Sequence, residues 1–171
     1  FSADVAPGSG LGASSSLASN IVNIILKLQK KKWSKHKIAM KVFRIGHDVL
    51  EWGIGKQDEF AAVFGGFNMY KFSKNNVTVT PIQLNKSTLR EFEKNSMLFF
   101  LGERKASSEI LKTQIKNIKS LNNKTISALH KVSNLTLEMR DALKNNDLSI
   151  FESILQQGWI EKKKFAKGVS N

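Results

Sequence analysis

The chain has no cysteine, two prolines and a single tyrosine among its 171 residues. Without cysteine there is neither a disulfide nor a thiolate metal site, a usage that fits the cytoplasm. Carboxylates are scarce: 14 Asp and Glu stand against 27 Lys and Arg, a formal charge of +13. Such a balance favours anionic partners, whether nucleic acid, phosphorylated metabolites or an acidic surface. Much of the excess is lysine scattered among asparagines, which reads as compositional bias, so no nucleic-acid partner is expected. No window reaches the roughly 18 apolar residues that a spanning helix needs, and the start shows no basic-then-apolar leader. No membrane partner is expected either. The three histidines, at positions 36, 47 and 130, are too scattered to suggest a metal site. No serine sits in a nucleophile-elbow pattern.

What remains is a chain 41% hydrophobic, long enough for one core or two small ones. Ser14 or Ser15 can cap a helix over about residues 15–29, with Leu17, Ile21, Ile24, Ile25 and Leu28 on its buried face. Residues 27–37 form a basic run, read as a solvated helix end and loop. A second helix is expected over about 35–50, with Ile38, Val42, Ile45 and Val49 inward and Gly46 weakening its middle. Glycines on both sides of residues 56–64 predict a loop, one helical turn and a sharp bend. Period-two alternation over 67–72 and 77–82, split by Ser73-Lys74-Asn75-Asn76, predicts a β-hairpin with Pro81 near its end. Residues 97–101 are wholly apolar and read as a strand buried on both faces. Three helical stretches follow, marked by Ile110 to Leu121, by Leu129 to Leu143, and by Phe151, Ile154 and Leu155 after a capping Asp147. Trp159 and Phe165 are placed on a last basic helix.

Two stretches carry chemistry. In the first, Gly8, Gly10 and Gly12 alternate with Ser9 and Leu11 and lead through Ala13, Ser14, Ser15 and Ser16 into the first helix. Glycine turns the backbone with positive φ and lets a ligand approach closely. The helix start then offers unpaired N–H groups and the positive end of its dipole, a seat for phosphate. Composition alone also admits a flexible Gly/Ser-rich terminus. No lysine and threonine follow the last glycine, so the loop is not of the Walker type. In the second stretch, Lys56 and Asp58 lie between glycines, beside aromatic and alanine residues. A carboxylate there can accept a proton from a substrate hydroxyl, and a nearby lysine would hold it ionised. Taken alone, the pair also reads as ordinary charges on an exposed loop.

Residues 7–16, Pro-Gly-Ser-Gly-Leu-Gly-Ala-Ser-Ser-Ser, resemble the second signature motif of the GHMP kinases, usually Pro-x-x-x-Gly-Leu-Gly-Ser-Ser-Ala. About forty residues on, Ile54-Gly-Lys-Gln-Asp-Glu-Phe-Ala-Ala-Val-Phe-Gly-Gly-Phe-Asn68 resembles the loop with that family's catalytic aspartate. Its Gly-Lys-Gln-Asp form is most similar to the D-glycero-D-manno-heptose 7-phosphate kinase branch. Residues 97–111, 137–143 and 158–164 are similar to later parts of that branch.

The resemblance implies an α+β fold of GHMP kinase type. A partial ribosomal S5 domain 2-like half would form the ATP-binding domain over 1–92, and a partial ferredoxin-like, helix-rich half would occupy 93–171. It implies ATP and magnesium as cofactors and a sugar phosphate as substrate, with another GHMP kinase such as a fucokinase, or a non-catalytic basic binding module, as rivals. Gly8, Ser9, Gly10, Leu11, Gly12, Ala13 and Ser14 would hold the ATP phosphates, with Ser14 also ligating magnesium. Asp58 would take or orient the sugar hydroxyl proton and Lys56 would support the developing charge. Arg104 and Lys105 would hold the 7-phosphate. Two departures stand out. The family's magnesium carboxylate falls near Gly46 and His47, with Asp48 or Glu51 as substitutes after a shift in register, and Leu101 replaces a threonine. The family's opening sugar-binding segment and closing glycine-rich motif are not in this sequence, so it is expected to be a piece of a longer protein and inactive by itself.

Overall fold

The computed structural model describes residues 9–74, 76–100 and 108–169. Two compact units emerge. Of the described residues, the first holds 9–70, 99, 100 and 108, and the second 71–98 and 109–169.

The first unit begins with helix α1 (Ala13–Leu28), entered through Gly12 in the left-handed conformation at φ 73°. Helix α2 (Lys35–Arg44) is capped by Ser34, whose Oγ accepts from the Lys37 amide at 3.2 Å. It runs straight into a π-helical turn, Ile45–Val49. Helix α3 (Gln57–Phe64) ends on Gly65 and Gly66, both at positive φ. Val22 and Leu26 of α1 and Ile38 and Val42 of α2 form the core, with Ala18, Trp33, Ile45 and Val63 against it. Phe60 of α3 is fully buried, meeting His36 edge-on at 5.2 Å and Phe64 in a stack at 5.9 Å.

The expected helices are present, but their buried faces differ. On α1 the inward residues are Ser15, Ser19, Val22 and Leu26, whereas Leu17, Ile21, Ile24, Ile25 and Leu28 are exposed. The small hydroxyl residues let α2 and α3 approach α1, and Ser19 Oγ satisfies itself by donating to the Ser15 carbonyl at 2.7 Å. The second helix does not continue regularly to residue 50. The π-turn adds a residue to the turn, so Ile38 and Val42 stay inside while Val49 is 71% exposed.

Strands β1 (Asn68–Phe72) and β2 (Val77–Pro81) pair as the expected hairpin. The Ser73 amide and Oγ both donate to the Asn76 carbonyl, closing the turn at 2.8 and 2.9 Å. The second unit is otherwise helical: α4 (Lys86–Asn95), α5 (Ser108–Lys119), α6 (Asn123–Lys144) and α7 (Phe151–Lys162). Helices α6 and α7 pack together, burying Ala128, Ala142, Leu143 and Ile154. Phe165 and Ala166 are buried just beyond α7.

Three sequence expectations fail here. Residues 97–100 form no strand and are 62–80% exposed, because no described strand pairs with them; Leu101 lies outside the described residues. Asp147 does not cap a helix: its Oδ1 accepts from the Ser149 amide at 2.8 Å in the turn before α7, which starts at Phe151. Trp159 rides on α7 itself, and Phe165 follows its end, so there is no separate last helix. Helix α4 had no sequence expectation.

Candidate functional site

A depression of about 310 Å3 in the first unit is lined by Gly10, Leu11, Gly12 and Ser16 on one side and Asp58, Ala61 and Ala62 on the other. The glycine loop and the start of α3, 46 residues apart between Gly12 and Asp58, thus open on one space. Each wall has a local cause. Gly10 and Gly12 sit at φ 76° and 73°, values that a side chain would strain, and they fold the chain back before α1 begins. No side chain caps α1 and no carboxylate lies in its first turn, so its leading N–H groups have no acceptor from a cap. Ser9 Oγ, three residues before Gly12 in the chain, is buried with no hydrogen-bond partner among the described residues. On the other wall, Asp58 lies in the first turn of α3, held there by the burial of Phe60 and by Val63 against the core.

The sequence-derived candidates divide accordingly. Gly10, Leu11, Gly12 and Asp58 come together, and Ser9, Ala13 and Ser14 adjoin them in the chain. Ser14 is exposed on the first turn of α1 but does not line the depression; Ser16 does. Lys56 makes no ion pair with Asp58. Its ammonium stands 5.3 Å over the Phe43 ring instead, in a cation–π contact between two partly buried side chains. Gly8, Arg104 and Lys105 lie outside the described residues. Asp48 and Glu51 do not line the depression, and the Asp48 carboxylate is bonded to His47 Nδ1 at 2.8 Å.

Two residues had no site role in the sequence reading, which took Ser15 only as a candidate helix cap, whereas α1 starts behind Gly12 with Ser15 inside it. Ser15 and Glu59 are 7% and 4% exposed, and the Ser15 hydroxyl donates to Glu59 Oε1 at 3.3 Å. Glu59 Oε2 is buried with no partner among the described residues, and burial pushes the carboxyl above its ordinary value. The signal for Glu59 was its spacing: it lies four residues before Val63, on the same face of α3 that meets the core.

The donor set fits a phosphate chain. Free helix-start amides, an orphaned hydroxyl and a left-handed glycine turn are what such a group needs. It fits magnesium only in part. Among the described residues no group of three or more His, Asp or Glu could hold a metal ion. Magnesium, however, commonly takes one or two protein oxygens and completes its shell with phosphate and water, and Ser14 and Asp58 are of that kind. Nor is any helix among the described residues long and apolar enough to cross a membrane.

Known proteins resemble this chain in sequence and fold. The chain is 30% identical over 169 residues to a D-glycero-alpha-D-manno-heptose 7-phosphate kinase of Campylobacter jejuni, covering 98% of this chain and 49% of that one. A bifunctional fucokinase/GDP-fucose pyrophosphorylase of Arabidopsis thaliana is 25% identical over 163 residues, 92% of this chain and 15% of that protein. The crystal structure of a D-glycero-D-manno-heptose 1-phosphate kinase from Bacteriodes thetaiotaomicron superposes with a TM-score of 0.74 at 28% identity, covering 94% of this chain and 46% of that one. The chain therefore spans about half the length of the heptose kinases it matches. Residues 1–66 match the family model for the GHMP kinases N terminal domain, and the chain shares the α+β GHMP kinase fold.

Proposed function

We propose that this chain forms the phosphate-binding and catalytic part of an ATP-dependent sugar kinase acting on D-glycero-D-manno-heptose 7-phosphate. The observation that carries the reading is the shared depression of Gly10, Gly12 and Asp58. In this reading a phosphate seat and a proton-accepting carboxylate line one depression of about 310 Å3. In the proposed reaction the anomeric hydroxyl oxygen attacks the γ-phosphorus of ATP, its proton passes to the Asp58 carboxylate, and the bond to the β-phosphate oxygen breaks, releasing ADP. Gly8, Ser9, Gly10, Leu11, Gly12 and Ala13 wrap the phosphates through backbone amides, and Ser14 offers a hydroxyl to magnesium, which neutralises phosphate charge when bound. Such transfer needs positioning and charge neutralisation more than covalent help. Lys56 adds positive charge once it leaves the Phe43 ring, and Arg104 and Lys105 hold the 7-phosphate. Residues 1–92 belong to the ATP-binding domain and 93–171 to the domain that follows. The product serves nucleotide-activated heptose and surface polysaccharide synthesis in the cytoplasm.

The similarity to a bifunctional fucokinase keeps fucose as a second substrate to be tested. The full-length protein, incubated with ATP and each sugar in turn, should phosphorylate heptose 7-phosphate and lose that turnover in Asp58→Asn. Phosphorylation of fucose instead would reassign the substrate. ATP binding with neither sugar phosphorylated, together with a salt-sensitive affinity for RNA, would replace the kinase by a binding module.

A further inference from the structure

We propose that the buried hydrogen bond between Ser15 and Glu59 is a latch that fixes the phosphate turn of α1 against the start of α3, making Glu59 a positioning residue for Asp58. The inference rests on the functional reading above for its kinetic consequence, and on geometry alone for the latch. Ser15 immediately precedes Ser16, and Glu59 immediately follows Asp58; Ser16 and Asp58 both line the depression. The two latch side chains are 7% and 4% exposed and bridge 44 residues of sequence. Their bond therefore sits directly behind the two walls that must keep register. Stability alone is a poor explanation for Glu59. Burying a carboxyl without a cationic partner is costly, and no ion pair to Glu59 forms among the described residues. Its second oxygen likewise has no partner among the described residues. An apolar side chain would fill the same space at lower cost but could not hold the Ser15 hydroxyl. The other buried hydroxyl on this face of α1, Ser19 Oγ, donates to the Ser15 carbonyl at 2.7 Å, whereas Ser15 Oγ donates to Glu59. What the pair offers is a directional bond between two elements whose relative position sets the distance from phosphate to Asp58.

The test compares Ser15→Ala, Glu59→Ala, their double variant and Glu59→Gln in the full-length protein. Misplacement of reacting groups should lower kcat about 10- to 100-fold in Ser15→Ala and Glu59→Ala, with KM for ATP changed less than about threefold. Because both remove one bond, the double variant should be no slower than the worse single one. Glu59→Gln keeps the acceptor and should restore kcat to within about twofold of the parent. Losses that multiply in the double variant, or folded single variants with parental kcat, overturn the latch. Hydrogen exchange separates this from the kinase reading. The amides of residues 16–19 should exchange about tenfold faster in Ser15→Ala and Glu59→Ala but not in Glu59→Gln. Unchanged exchange overturns the latch whatever the turnover. Altered exchange in a parent that phosphorylates no sugar overturns the kinase reading and leaves the latch standing.

Discussion

Ile54 lies over the backbone of Gly46 so closely that a Cβ at that position would run into Ile54 Cδ1. The Trp52 amide reinforces the approach by donating to the Gly46 carbonyl at 2.9 Å. Gly46 thus lets the chain after the π-turn fold back toward the loop that leads into α3. Gly46→Ala must displace only the movable Cδ1 end of Ile54, and alanine's better helix propensity offsets part of that, so it should destabilise the protein by no more than about 1 kcal/mol. Gly55→Ala, with nothing near its Cβ, should be close to neutral. Urea unfolding midpoints at unchanged slope would separate the two; equal midpoints would show that Ile54 yields freely.

The same glycine illustrates how far the sequence could be read. It reads as a weak spot in a helix, and the break is there, as a π-turn whose Gly46 is closely covered by Ile54, a contact that helix propensity does not reveal. Short-range signals carried well: the hairpin followed from alternation and a polar turn, and the bend after α3 from Gly65 and Gly66, both at positive φ. Long-range choices did not carry. On α1 the stripe with Leu17, Ile21 and Ile24 is the more apolar, yet the one that meets α2 and α3 carries Ser15 and Ser19, where small side chains permit close approach. Periodicity measures how apolar a stripe is, not which neighbour reaches it. Residues 97–100 read as buried for the same reason and are exposed. Helix α4 announces itself only through Asn85, whose Oδ1 accepts from the Thr88 amide at 2.8 Å. At the site, glycine spacing pointed to the loop and to Asp58, whereas Glu59 needed the fold to show that its carboxylate turns inward.

Glu59 also sets a pH dependence. Burial, with the neighbouring Asp58 charge adding, raises its pKa above the ordinary 4.5, against hydrogen bonds from its own backbone and Ser15 that pull the other way. The folded protein then holds this proton more tightly than the unfolded chain does. The stability it contributes is complete below about pH 4.5 and is lost as pH rises through the raised value. Glutamine cannot titrate, so Glu59→Gln should unfold at higher urea than the parent at pH 7.5, and that advantage should vanish at pH 4. A stability difference that is the same at both pH values would show that the Glu59 carboxyl is not perturbed in the folded state.

In the second unit, Thr125 is 1% exposed and its Oγ1 donates to the carbonyls of Phe165 and Lys164 at 3.3 and 3.4 Å. Asn117 Nδ2 also reaches the Phe165 carbonyl, at 2.9 Å. Thr125→Val keeps the shape and removes one donor to carbonyls that follow α7. Its cost should be about 1–2 kcal/mol, and calorimetry should register a lower Tm. An unchanged Tm would mean that Asn117 satisfies that chain end by itself.

Metal binding should depend on nucleotide. Ser14 and Asp58 supply too few oxygens for a free-standing site, and the described residues hold no cluster of three acidic or histidine side chains. Magnesium keeps several waters and leans on phosphate oxygens. Calorimetric titration of the nucleotide-free protein with magnesium should therefore show no saturable heat, whereas magnesium should tighten ATP binding. Saturable binding without nucleotide would require a carboxylate cluster in residues outside those described.

Gly12 is where backbone geometry and the proposed phosphate seat coincide. It starts α1 at φ 73° and ψ 25°, a left-handed conformation that costs an L side chain about 1–2 kcal/mol. No atom lies within 4 Å of where its Cβ would stand, so the added methyl meets no clash within the protein. Gly12 is also one of the residues that line the depression. Gly12→Ala should thus lose modest stability and a larger share of nucleotide affinity, because the methyl occupies the approach to the loop amides. Gly55→Ala provides the control for a methyl added in open space elsewhere in the unit. Isothermal titration with ATP should show affinity falling at least tenfold in Gly12→Ala and holding in Gly55→Ala. If both bind ATP like the parent while Gly12→Ala shows its stability loss, the phosphates do not sit against this turn, and the depression serves another ligand.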